Sequence, residues 1–397
     1  MFETLAPSPA DPILALMLAF REDQRDSKVD LGVGVYKDAE GQTPVMKAVK
    51  MAEERVYQEQ QTKTYVSPTG DVDFCHAMES MILGESIPHS RVRSIQTPGG
   101  SGALKVLSDL LMAVNPDATT WVSDPTRPNH LPMLARAGHH IERYPYYDAA
   151  KGAVDFDAMQ AMLSSAKAGD IVLLHGCCHN PTGADLDAAQ WQAVAALCLE
   201  KSLIPFVDLA YQGFGDSLEQ DAAGVQILAR ELPELVIASS CSKNMALYRE
   251  RTGCALIVGD NETAAVNTAS LAVKMIRSNY SMPPDHGAAI GRMVMLDKEL
   301  HGIWREELES MRLRMAGLRE EFAAALRKRS NSERFDYIAE QRGMFSRLPL
   351  TEEQVTRLCV EDGIYMVGDG RFNVAGLPQN RADGIDQVAA KIVAAMD

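Results

Sequence analysis

The chain has 397 residues, 46% of them hydrophobic and 23% charged, which is too long for one small core, suggests two or three domain-sized units and excludes wholesale disorder. Acidic residues number 54 against 39 basic ones, a net charge of -15, so neither a nucleic acid nor an anionic membrane is expected as a partner, and any anionic ligand must be held by a few local cations. No apolar run reaches the roughly 18 residues that span a bilayer, and residues 1–30 carry Glu3, Asp11 and Glu22 without the basic start and apolar stretch of a secretory signal.

From about Val92 to Asp260, short apolar runs bounded by turn residues alternate with segments of helical period. The runs Thr120–Ser123, Ile171–His175, Ile204–Asp208, Val236–Ser239 and Ala255–Gly259 are short and apolar throughout, which predicts buried parallel strands. Between them Ala158–Ser165, Ala188–Lys201 and Ala222–Glu231 predict helices, and the alternation predicts an α/β domain built on a mostly parallel sheet flanked by helices. Beyond Asp260 the pattern changes. Glu262–Ser278 and Gly287–Arg329 predict long helices, the second bridging to a further domain. A turn-rich stretch follows over Ser330–Pro349, then a helix near Glu352–Asp362, a strand at Arg371–Val374 and a last helix near Gly384–Met396. The predicted division is an N-terminal arm and part of a small α+β domain over 1–44, a large domain over 45–309, and the rest of the small domain over 310–397. The seven cysteines (75, 177, 178, 198, 241, 254 and 359) are odd in number and irregularly spaced, as expected of reduced thiols in a cytoplasmic protein. Cys177 and Cys178, with His175 and His179 nearby, complete no zinc signature, and no metal is expected.

Two stretches read as an anion site. Thr97-Pro98-Gly99-Gly100-Ser101-Gly102 enters a helical pattern, so free backbone N–H groups and the positive end of a helix dipole face one spot suited to phosphate. Its spacing matches neither the P-loop nor the dinucleotide fingerprint. Ser239-Ser240-Cys241-Ser242-Lys243-Asn244 follows a strand end, with Arg251 eight residues past Lys243. Asp208 ends another apolar strand, and Asn180-Pro181 and Tyr211 lie just beyond two such runs. In an open α/β sheet, polar groups at strand ends converge on one rim where ligands bind.

The run from Ser240 to Gly253, with Lys243 at its head, resembles the cofactor-lysine motif of the class I aminotransferases, in the aspartate and aromatic-amino-acid group of pyridoxal-phosphate fold type I. His179-Asn180-Pro181-Thr182-Gly183, Asp208-Leu209-Ala210-Tyr211-Gln212-Gly213-Phe214, Leu31-Gly32-Val33-Gly34-Val35-Tyr36 and Gly370-Arg371-Phe372-Asn373-Val374-Ala375-Gly376 match that family in the same order. The resemblance implies that Lys243 forms the internal Schiff base with pyridoxal 5'-phosphate and then shuttles a proton, and that Asp208 binds the pyridine nitrogen. Tyr211 and Asn180 would donate to the phenolic oxygen. Gly100, Ser101, Ser240, Ser242 and Arg251 would hold the phosphate, joined by Tyr65 from a neighbouring subunit. A homodimer with shared sites follows. Arg371 and the Gly34 backbone would read the substrate α-carboxylate, and Arg277, from the other subunit, a distal carboxylate; Asn180 would also meet substrate. Pro125 and Pro181 stand where the family has cis peptides.

Departures from the pattern bear on substrate. Arg127, in Pro125-Thr126-Arg127-Pro128-Asn129-His130, stands where the family has a tryptophan over the cofactor ring, and could stack there or offer a cation to substrate. Arg347 replaces a usual phenylalanine, Met282 an asparagine or serine, and Ala246 a glycine. The expected activity is ping-pong transfer of an amino group from aspartate or an aromatic amino acid to a 2-oxo acid, 2-oxoglutarate first. Alternatives are a transaminase for a different acidic or specialised amino acid, a lyase or decarboxylase on the same scaffold, and a silent binding module, which would usually lack Lys243 or Asp208.

Overall fold

A computed structural model describes residues 2–7, 11–379 and 384–396. Small parts of the expected N-terminal arm (1 and 8–10) and of the expected small domain (380–383 and 397) lie outside the described residues. The chain forms two compact units, one of Met1–Thr43, Arg314–Glu340 and Met344–Asp397, the other of Pro44–Leu313 with Gln341–Gly343.

The larger unit is built on a seven-stranded sheet. Its strands are β1 (Val92–Pro98), β2 (Thr119–Asp124), β3 (His140–Pro145), β4 (Ile171–His175), β5 (Ile204–Leu209), β6 (Leu235–Ser240) and β7 (Thr252–Val258), in the order β1-β7-β6-β5-β4-β2-β3. Each apolar run named from the sequence falls in a strand, save that Gly259 lies one residue past the end of β7. One expectation is corrected: the run at Ala255–Gly259 lies in β7, which is antiparallel to both neighbours. Burial on both faces makes a strand read as a continuous apolar run, and all seven residues of β7 are buried whatever its direction. The edge strand β3 escaped the pattern because its burial is patchy, with only Tyr144 enclosed. Helix α1 (Gly99–Val114) buries Ala103, Leu104, Val106, Leu107, Leu110 and Leu111, a stripe at helical spacing that shares a core with Ile95, Leu173, Phe206 and Ala238 of the sheet.

The direction of β7 positions the site. Ligands in such sheets meet the carboxyl ends of the parallel strands. Because β7 runs the other way, its first residues lie at that same end. Thr252 pairs with Pro98, and Gly253 faces Thr97 on one side and Ser240 on the other. Arg251 immediately precedes them.

In the smaller unit Val29–Asp30 pairs parallel with Ile364–Tyr365, and Phe345–Arg347 pairs antiparallel with Arg371–Asn373. Its core gathers Leu318, Phe322, Leu326, Phe335, Phe372 and Ile392 among others. The stretch expected to be turns contains the strand Phe345–Arg347 and the short helix Tyr337–Glu340. The helix expected over Gly287–Arg329 is two, His286–Leu296 and Lys298–Ser330. Asp297 breaks it: its backbone is extended, and its carboxylate accepts the Leu300 N–H at 3.0 Å, starting a new helix. Among the described residues no helix is long and apolar enough to cross a membrane.

Candidate active site

The glycine turn opens α1 with Pro98 at the N-cap, and no side chain caps the helix. Its first amides therefore remain available to an anion. A Cβ on Gly99 would come within 2.7 Å of the Arg251 guanidinium, and one on Gly100 within 3.0 Å of the Ser240 Cβ. The two glycines thus let a cation and a serine close on the turn. The Ser240 and Ser242 hydroxyls are hydrogen-bonded at 2.9 Å, and Arg251 donates to the Tyr248 carbonyl at 2.9 Å. Backbone N–H, hydroxyl and guanidinium groups are thus gathered at one spot, a donor set suited to an anion.

Gly253 was not singled out in the sequence, yet a Cβ there would fall 2.4 Å from the Gly99 carbonyl carbon and 2.7 Å from both the Gly100 nitrogen and the Ser239 oxygen. All three are backbone atoms and none can swing away. Gly253→Ala is expected to destabilise the unit by about 1–3 kcal/mol through overpacking, read as a lower denaturation midpoint. An unchanged midpoint would contradict this packing.

The carboxylate end is equally defined. Asp208 lies at the end of β5 and is buried. Its Oδ2 is 2.9 Å from His130 Nε2 and 3.3 Å from Arg127 NH1. His130 Nδ1 meets the Thr126 hydroxyl at 2.9 Å, and that hydroxyl also meets His175 Nε2 at 3.3 Å. Burial pushes His130 below its ordinary pKa and His175 down to about 3, so both rings are neutral. The network then fixes the tautomers: His130 donates from Nε2 to Asp208 and accepts at Nδ1 from Thr126, whose oxygen accepts from His175. Burial alone would raise the Asp208 carboxyl, but the His130 hydrogen bond and the Arg127 charge outweigh it and hold it below the usual carboxylate range. Its second oxygen, Oδ1, is buried without a hydrogen-bond partner. An ionised, buried carboxylate with one free acceptor is a socket for a cationic N–H, which suits a protonated pyridine nitrogen.

Lys243 completes the cluster. Its Nζ lies 4.6 Å above the Tyr211 ring. Burial, then the charges of Arg127 and Arg251 against Asp208, lower its pKa to about 7, so a large share of the amine is unprotonated at neutral pH and nucleophilic. Asn180 is buried, and both Asp124-Pro125 and Asn180-Pro181 are cis, as the resemblance implies. Arg127 bonds Asp208 and, through NH2, the Ser101 hydroxyl at 3.3 Å.

The larger unit thus brings together Gly100, Ser101, Arg127, Asp208, Tyr211, Ser240, Ser242, Lys243 and Arg251. Tyr65 and Arg277 do not join this cluster among the described residues. Tyr65 is 90% exposed, and Arg277 donates to the Ser281 hydroxyl. In the smaller unit Arg371 is buried, its guanidinium 4.5 Å from the centre of the Phe345 ring and donating to the Gly32 carbonyl at 2.9 Å. A Cβ on Gly34 would meet that same ring at 3.1 Å, so Gly34 and Arg371 are gathered around Phe345. Arg347 donates to the Asp369 carbonyl at 2.8 Å. Ala246 has φ 52, a conformation glycine takes without strain.

Sequence reasoning left His130, Thr126 and His175 without roles. His130 lies 78 residues from Asp208 along the chain, so no local spacing could pair them.

A lysine amine, an anchored carboxylate and an anion cradle thus lie at the strand ends of one α/β sheet. Residues 26–388 match the family model of aminotransferase class I and II. The chain is 49% identical to the aromatic-amino-acid aminotransferase of Paracoccus denitrificans, covering 96% of each chain. It is 44% identical to the aspartate aminotransferase of Escherichia coli K12, covering 98% of this chain and 100% of that one. The crystal structure of an aromatic-amino-acid aminotransferase from Burkholderia pseudomallei, covalently bound to pyridoxal phosphate, superposes with a TM-score of 0.96 at 40% identity, covering 100% of both chains. The chain belongs to the class I and II aminotransferases, and its fold is their fold type I.

Proposed function

We propose that this aminotransferase uses pyridoxal 5'-phosphate held by Lys243, takes aspartate or an aromatic L-amino acid as donor, and passes the amino group to a 2-oxo acid, 2-oxoglutarate in the first instance. The observation that carries this reading is the pairing of a buried lysine of lowered pKa with a buried carboxylate whose Oδ1 lacks a partner. When bound, the cofactor supplies an aldehyde carbon and an electron-withdrawing ring that stabilises negative charge on the substrate Cα. The chain supplies the rest. Asp208, oriented by His130 and Thr126, accepts the ring N–H and keeps it charged. The amides of the glycine turn, Ser101, Ser240, Ser242 and Arg251 hold the phosphate. Tyr211 and Asn180 donate to the phenolic oxygen. Lys243, freed when substrate takes its place, moves the proton at Cα, work suited to a base whose pKa lies near the ambient pH. Arg371, with its planar fork, takes the substrate carboxylate bidentately beside the Gly34 backbone.

A homodimer with shared sites is part of the proposal, with Tyr65 and Arg277 serving the partner. It is supported by an aromatic ring at Tyr65 left 90% exposed and by exposed apolar side chains at Phe2, Leu5, Leu14 and Leu18. Such groups are often buried in assembly. A cytoplasmic location is supported by the seven free cysteines.

The donor is tested by mixing the cofactor-loaded protein with single amino acids and following the cofactor absorbance. Aspartate or an aromatic amino acid is expected to bleach the lysine-bound band fastest. Bleaching by an unrelated amino acid alone would overturn the substrate assignment.

A further inference from the structure

Arg127 lies on the loop between β2 and the helix His130–Ala137. Its guanidinium is fixed from two directions, 3.3 Å from Asp208 Oδ2 and 3.3 Å from Ser101 Oγ. One contact is on the strand-end carboxylate and the other on the phosphate turn, so the charge is held between the two ends of the site. The side chain is 22% exposed, enough enclosure for its charge to be felt by neighbours with little screening.

The groups acting on Lys243 come from four segments: Arg127 after β2, Asp208 at the end of β5, Tyr211 just beyond it, and Arg251 before β7. Arg127 itself faces Asp208, Ser101, and the neutral rings of His130 and His175. Two fixed cations therefore act on the amine against one carboxylate, and that carboxylate is already shared with Arg127. A neutral side chain at position 127 would bring no charge to the site and would leave Asp208 unshared. Only Oδ2 is engaged by Arg127, so Oδ1 remains for a ring nitrogen.

We propose that Arg127 is a charge-setting positioning residue: its guanidinium, anchored on Asp208 and Ser101, keeps the nitrogen of Lys243 free of its proton, as the free amine and as the link to the cofactor. This rests on the reading that Lys243 holds pyridoxal phosphate. The physical cause is like-charge repulsion across an enclosed site, which disfavours the protonated form. The lowered pKa of Lys243, to which Arg127 contributes after burial, agrees with it.

The test is an absorbance titration of the cofactor-loaded protein against pH without substrate, comparing the parent with Arg127→Met and Arg127→Lys. Methionine keeps the bulk of the stem and removes the charge, whereas lysine keeps the charge. Cofactor stoichiometry and circular dichroism accompany each variant. Arg127→Met is expected to move the midpoint of the pH-dependent band upward by about one unit or more, the size of effect a neighbouring charge has. Arg127→Lys is expected to stay close to the parent. A midpoint unchanged in Arg127→Met overturns the proposal, and so does an equal shift in both variants, which would make the effect one of packing. A parent that shows no band from lysine-held cofactor removes the reading beneath the proposal and the proposal with it. Should Arg127→Met not fold, Arg127→Gln serves as the neutral variant under the same criteria.

Discussion

Lys243→Ala is expected to yield a folded protein without measurable amino transfer. The side chain serves twice in the proposed reaction, as the nucleophile that captures the cofactor and as the base that moves the Cα proton. Loss of proton transfer alone costs a factor on the order of 10² to 10⁴, and loss of the covalent anchor adds to it. The fold is expected to survive because the amine is a burden to it. Its pKa in the folded chain is about 7, against roughly 10.4 for an unperturbed lysine. The unfolded chain therefore binds more protons between those values, and stability falls as pH drops from the upper toward the lower. Alanine removes that penalty, which offsets the packing lost with the stem. Steady-state kinetics and circular dichroism check both halves. Turnover near the parent rate would remove Lys243 from its assigned role.

Asp208→Asn is expected to weaken cofactor retention and lower kcat by a factor on the order of 10² to 10³, the range for removing one preorganised electrostatic partner from an enclosed site. Asparagine has the same shape and still accepts from His130. What it lacks is the charge. The parent carboxylate stays ionised under burial because His130 donates to it and Arg127 faces it. With a neutral amide there, nothing stabilises a charged ring nitrogen, and the Arg127 guanidinium loses its counter-ion. Dialysis against buffer, followed by measurement of bound cofactor and of kcat on re-addition, separates the two effects. A variant that keeps its cofactor and its turnover would contradict the role given to Asp208.

Much of this site is written in local sequence, because each of its parts is a short run, a glycine turn entering a helix or hydroxyls clustered around one lysine. The glycine turn at 97–102, the serines around Lys243, and Asp208 at the end of an apolar run could each be read within a few residues. Five of the seven strands of the large sheet were legible too, because burial on both faces leaves continuous apolar runs. Four things were not. The direction of β7 is a matter of topology, since a fully buried strand reads the same either way. The column from Asp208 through His130 and Thr126 to His175 is assembled from β5, the helix His130–Ala137, the loop before it, and β4, across separations that carry no periodic signal. Gly253 matters because of what lies beside it in the sheet, two strands that meet only after folding. The break at Asp297 was hidden by uninterrupted helical residues on both sides. At Arg127, the residue type suggested either stacking or a cation for substrate, whereas the structure directs the guanidinium to Asp208 and Ser101.

The central claim is that one amine captures the cofactor. Borohydride reduces a carbon–nitrogen double bond to a stable single bond, so treating the cofactor-loaded protein with it and mapping the digest by mass spectrometry locates the attachment directly. The account predicts a pyridoxyl-phosphate adduct on the peptide containing Lys243 and on no other lysine. An adduct at a different lysine, or none at all on protein that retains its cofactor, would contradict it.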